Sequence, residues 1–130
     1  MKLSKDKIIF RAPRVLSILF LLFLAIFSLD VFDEGLGFWG TLLGLFMHNL
    51  PAIVLAVVLA VAWKHELVGA VFYALAGLVY TITVVIGGLH GSFKLYKISW
   101  IITIAGPAFL IAWLFFVGWR MKCQIKTPKP

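Results

Sequence analysis

His48, Asn49 and Pro51 stand almost side by side in LGLFMHNLPAIVLAV, Leu43 to Val57, a stretch that is otherwise almost wholly apolar. Imidazole is the side chain that titrates near neutral pH, and ionisable groups inside a membrane often mark pathways, so such a histidine is a candidate for proton-sensitive chemistry. Proline lacks an N–H, and inside a helix it strips the partner from the carbonyl four residues back. For Pro51 that carbonyl belongs to Met47, and a second proline, Pro107, does the same to Thr103. Bare carbonyls do not persist in hydrocarbon; a side chain, a water or a local backbone adjustment must satisfy them. Counting ~1.5 Å per residue along antiparallel spans brings His48 level with Thr83, and Thr83 level with Thr103, to about one helical turn. The candidate site is therefore an intramembrane polar cluster of His48, Asn49, Tyr80, Thr81, Thr83 and Thr103, set around helix kinks at Pro51 and Pro107. Two chemistries fit it. Hydrogen bonds between helices need nothing further, whereas a polar pocket that responds to protons needs His48 to titrate.

The other reactive residues make weaker constellations. Asp30, Asp33 and His90 fall near one end of the bundle and have the types that bind a divalent cation, but solvated surface charges account for them as well. His48 and His90 differ in depth by ~10 Å, too far for a shared metal or a bis-histidine haem. His65 and Glu66 begin an H-E-x-x-H pattern, yet Gly69 holds the place of the second histidine. Glu66 is read instead as a residue that complements the positive end of a helix. Cys123 is the only cysteine, which rules out a disulfide, a Cys-x-x-Cys pair or a cysteine zinc cluster within one chain. No catalytic residue, metal site or cofactor is expected, and the chain is not expected to be an enzyme.

The elements that must hold these residues are set by hydropathy. Hydrophobic residues make up 63% of the 130 and charged residues 13%, and the mean hydropathy is +1.09, well outside the composition of soluble domains. Four apolar runs, Arg14 to Asp33, Phe38 to Trp63, Leu67 to Leu89 and Ile98 to Trp119, each approach the ~20 residues that cross a bilayer as a helix. The first is too long for a secretory signal core and lacks a small-x-small cleavage site, so it reads as a retained anchor. Short connections make successive spans antiparallel neighbours. The expected fold is all-α, a single-domain integral membrane four-helix bundle running up, down, up, down.

Of the 12 Lys and Arg residues, Lys94 and Lys97 alone fall between the second pair of runs on one side, which leaves ten at the tails and the middle turn. Basic residues are retained in the cytoplasm, so both termini are expected there, in a multi-pass protein of the cell membrane. Trp39, Trp63, Trp100 and Trp119 fall where the runs end, as interfacial aromatics do. The net charge of +7 is confined to tails and short turns, and forms no basic face that would bind nucleic acid.

Two small-residue strips predict close helix contacts. Gly40, Gly44, His48, Ala52, Ala56 and Ala60 line the second run, which turns His48 toward protein; Ala70, Ala74, Gly77, Thr81, Val84 and Gly88 line the third. The third-run strip could serve packing within the monomer or a homodimer interface.

The order LFLAIFSLDVFDE, then HNLPAIVLAVVLAVAWKHELVGA, then ISWIITIAGPAFLIAWLFFV resembles a family of short prokaryotic four-span membrane proteins known as a domain of unknown function. The resemblance covers about residues 14 to 117 and rests on the histidine and proline of the second run and the AWK-x-E-x-x-G turn. It implies the four-span architecture and carries over no catalytic residue. The function expected is therefore a non-enzymatic helix-packing subunit or accessory protein whose surroundings are the lipid bilayer and a homo-oligomeric or other membrane protein partner. The alternative is a small oligomeric transporter or channel with a polar site around His48. Small multidrug transporters also have four spans, but they carry a glutamate within the first, which this chain lacks.

Overall fold

A computed structural model describes residues 2–91 and 94–127 of the chain. Among these, every regular element is helical. Helix α1 spans Lys2–Phe27, α2 Gly37–Ala62, α3 Glu66–Leu89, α4 Tyr96–Trp100 and α5 Gly106–Lys126. A π-helical turn over Ile101–Ala105 joins α4 to α5, so Tyr96–Lys126 makes one span of 31 residues. Even α3, the shortest span at 24 residues, is about 36 Å long, enough for a ~30 Å hydrocarbon core. Four helices of this length and hydropathy make the chain a small multi-pass membrane protein.

The helices outrun their apolar sequences because a helix keeps its own hydrogen bonds satisfied on either side of the hydrocarbon boundary. Thus α1 begins before Lys5 and α5 continues through Lys126, and charged turns project beyond the apolar body. The far end of α1 behaves differently. It passes into a 3-10 helix over Ser28–Glu34, closed by Gly35 (φ +62°), and Gly37 (φ +70°) then opens α2. Both glycines occupy the left-handed region, where a Cβ would be strained. This fold-back buries Val31 against α2, and a Cβ on Gly44 would lie 2.6 Å from Val31 Cγ1. One residue of the small strip on α2 is thereby used inside the monomer.

The two membrane prolines are absorbed in different ways. Pro51 lies within α2, whose helical assignment is unbroken. Ahead of Pro107 the chain widens into the π turn, a local adjustment of the kind a missing N–H demands.

Helix α1 packs on α2 and α5, and α3 packs on the same two. Each long helix is thus antiparallel to both its neighbours, and α1 and α3 face each other across the bundle. The closest seam lies between α3 and α5. A Cβ on Gly69 would approach Phe115 Cδ2 to 2.8 Å and the Ala62 Cβ to 2.9 Å, and one on Gly77 would meet the Phe109 ring at 3.1 Å. The strip Ala70, Gly77 and Gly88 is buried accordingly. Tyr73 and Phe115 fill the centre with ring centroids 6.0 Å apart.

Candidate functional site

The six residues of the polar cluster lie on α2, α3 and the π turn, and five of them bond back to their own helices. His48 Nδ1 lies 3.0 Å from the Gly44 carbonyl, and Asn49 Nδ2 donates to Leu45 at 2.9 Å. Thr81 donates to Gly77, Thr83 to Val79 and Thr103 to Ser99, each at 2.8 Å. Short polar side chains in helices readily make this four-residue return bond. It satisfies the threonine hydroxyl protons and one group each of His48 and Asn49 locally, so those groups do not require another helix. His48, Thr83 and Thr103 are exposed on the helical body, while Asn49, Tyr80 and Thr81 are half-buried. Thr103 and Pro107 border a groove of about 300 Å³ between α1 and α5. His48 stands on α2, across the bundle from that groove's α5 wall.

Polar chemistry instead concentrates where the chain ends meet the α2–α3 turn. Glu66 opens α3 with its side chain only 5% exposed. Lys122 of α5 donates to both carboxylate oxygens, at 2.7 Å to Oε1 and 3.0 Å to Oε2. Arg14 of α1 adds a second cation, its Nη2 3.8 Å from Oε1. The same Nη2 donates to the Trp63 carbonyl at 2.8 Å, one of the orphan acceptors that end α2. Its guanidinium carbon lies 5.0 Å from the centroid of the Trp63 ring, within cation–π range. All four spans therefore converge on one carboxylate.

The geometry explains why a charge is tolerated there. A buried carboxylate is costly unless it is paired and hydrogen-bonded. Glu66 has two cations, and its place in the first turn puts it at the positive end of α3. Gly118 packs beside it, and even a Cβ there would stay at ordinary contact distance, 3.9 Å from Glu66 Cγ. With both oxygens engaged, the carboxylate acts as a clasp between helices and not as a free base. Deeper in the same region Ser17 is fully buried and donates to the Pro13 carbonyl at 2.6 Å. Among the described residues Arg14 Nε is buried without a hydrogen-bond partner, and the Tyr73 hydroxyl is buried beside Ser17.

Sequence reasoning assigned Glu66 only a dipole role and used Arg14 and Lys122 only for orientation. A signal was present: all three fall at the same end of a four-span chain, and opposite charges facing an apolar body gain by pairing. Elsewhere, Asp30, Asp33 and His90 are exposed, and among the described residues no three His, Cys, Asp or Glu side chains gather as a metal site.

Comparison with curated proteins and with solved structures yields no match in either set. A family described as a domain of unknown function, DUF7670, matches residues 1–127, which includes all four spans and the Arg14, Glu66 and Lys122 clasp. The chain is a member of the DUF7670 family.

Proposed function

We propose that the chain is a non-enzymatic protein of the cytoplasmic membrane that works through helix contacts, as a subunit or accessory protein. The observation that supports this reading is the position of His48. Eleven residues into α2, it sits about 17 Å from the helix start, close to the middle of the span. It is exposed, and one ring nitrogen is committed to Gly44. An imidazole has a second nitrogen, and a polar group left unsatisfied in hydrocarbon costs several kcal/mol. A neighbouring helix removes that cost by supplying a partner. Ala56 and Ala60, farther along the same face, are also exposed and permit close backbone approach.

Mass measured in lipid nanodiscs or mild detergent tests the reading, together with the Ala56→Leu/Ala60→Leu variant. The parent is expected to associate with itself or with a co-purifying membrane protein, and the variant to lose that association while keeping its helical circular dichroism. A parent that remains alone in native membranes and in detergent overturns the proposal. The exposed imidazole also favours the second reading, an oligomeric transporter or channel. That reading takes its place if the reconstituted parent carries a pH-dependent flux that His48→Asn abolishes.

A further inference from the structure

We propose that the face shared by α3 and α5 binds an anionic phospholipid, with the headgroup phosphate in a basic cavity at the Glu66 end and an acyl chain in the groove beyond it. The cavity, about 450 Å³, lies between the first turn of α3 and the last turns of α5, within the ~300–1,000 Å³ of small-molecule sites. Lys64, Lys122 and Lys126 line it together with one carboxylate, Glu66. That carboxylate does not repel an anion strongly, because Lys122 holds both its oxygens and Arg14 stands beside it. An ammonium has three N–H donors. Lys122 uses two on Glu66, and with its side chain 45% exposed the third remains for a ligand. Lys64 and Lys126 are exposed at the rim. His65 makes no capping bond to the first turn of α3, so the positive end of that helix adds to the same field.

The second half of the site distinguishes a lipid from a free phosphate. An apolar groove of about 410 Å³ runs on along the same two helices, bordered by Ala74, Phe109 and Phe116. Leu67 lines both the cavity and the groove, which sets them side by side along the two helices. Along α5 the contacts pass from Lys126 through Trp119 to Phe116 and Phe109 on one helical face. Charge thus gives way to an interfacial tryptophan and then to aliphatic and aromatic walls, the order of a phospholipid from headgroup to tail. The inference does not depend on the partner reading, since this face lies away from His48, and either proposal can fail alone.

Titration of the purified full chain with phosphatidylglycerol, with phosphatidylcholine of the same acyl chains, and with inorganic phosphate, read as occupancy by native mass spectrometry, tests the site. Phosphatidylglycerol is expected to bind at least about tenfold more tightly than the zwitterionic lipid, since its headgroup is anionic. Lys64→Gln/Lys126→Gln should weaken it about thirtyfold, or about fivefold per interfacial lysine. Lys5→Gln/Lys7→Gln, on α1 and outside the cavity, should leave it within about twofold. Equal binding of both lipids, or equal losses in the two variants, overturns the site. Displacement of phosphatidylglycerol by millimolar inorganic phosphate shows a free-anion site and overturns the lipid.

Discussion

Glu66 shows how much a single buried charge can organise. Removing one member of a buried pair costs more when it strands the other than when the survivor can reach water. Lys122 is the exposed member and Glu66 the buried one, so the two deletions are unequal. Lys122→Met leaves the carboxylate with Arg14 alone, 3.8 Å away, and is expected to cost about 3 kcal/mol or more. Glu66→Gln lets Lys122 turn outward while Arg14 keeps its bond to the Trp63 carbonyl, at about 1–2 kcal/mol. The double variant should cost about 1–3 kcal/mol less than the sum, because the pair is removed together. Denaturant titration in mixed micelles measures all three. Strict additivity would show that Glu66 and Lys122 do not interact. This clasp was hard to see in the sequence because its donor and acceptor are 56 residues apart, and hydropathy places charges at an end of the bundle without pairing them. The threonines are the opposite case. Depth along a helix was legible, but a hydroxyl that can return to its own carbonyl, as Thr83 and Thr103 do, leaves no sequence mark of its rotamer.

Among the elements, α3 depends on its glycines to different degrees, and the spacing to the atoms opposite ranks them. At Gly69 an added Cβ would meet Phe115 and Ala62 at 2.8 and 2.9 Å, closer than packed atoms can remain. At Gly77 the nearest atoms belong to one edge of the Phe109 ring, at 3.1 to 3.2 Å, and at Gly87 nothing lies within 4 Å. Gly69→Ala is therefore expected to destabilise by about 1–3 kcal/mol, and Gly77→Ala by less because a partly exposed ring can shift. Gly87→Ala should be neutral or stabilising, by up to about 1 kcal/mol of helix propensity. Thermal unfolding of the three variants in one detergent gives the order, and a Gly69→Ala protein as stable as Gly87→Ala would contradict the α3–α5 packing. The strip through Gly77 was legible because three- and four-residue spacing defines a helix face. Gly69 was not picked out, since its constraint comes from Phe115 on a different span. The four runs and their antiparallel order were fully legible from length and hydropathy. The 3-10 segment and the π turn were not, because they answer to Gly35, Gly37 and Pro107 through backbone geometry and not through periodicity.

At the scale of the whole molecule, the distribution of charge decides how the bundle lies across the bilayer. The contacts of Arg14, Glu66 and Lys122 place the start of α1, the α2–α3 turn and the end of α5 together, so Lys5, Lys7, Arg11, Arg14, Lys64, Arg120, Lys122 and Lys126 lie toward one face. The opposite face carries Lys94 and Lys97, and Lys97 donates to the Gly87 carbonyl at 3.4 Å, partly neutralising the negative end of α3. Three carboxylates, Asp30, Asp33 and Glu34, share that second face. Basic residues close to span ends resist translocation, whereas acidic ones contribute little. The expected sidedness therefore rests on ten against two and not on net charge. A reporter fused after Pro130 should be active in the cytoplasm, and one inserted at Asp33 should be active outside. Replacing Lys5, Lys7 and Arg11 by glutamine should leave that orientation intact, because Arg14, Lys64, Arg120, Lys122 and Lys126 still hold the same face. An external C-terminal reporter in the parent would reverse the assignment and move the clasp and its basic cavity to the outer leaflet.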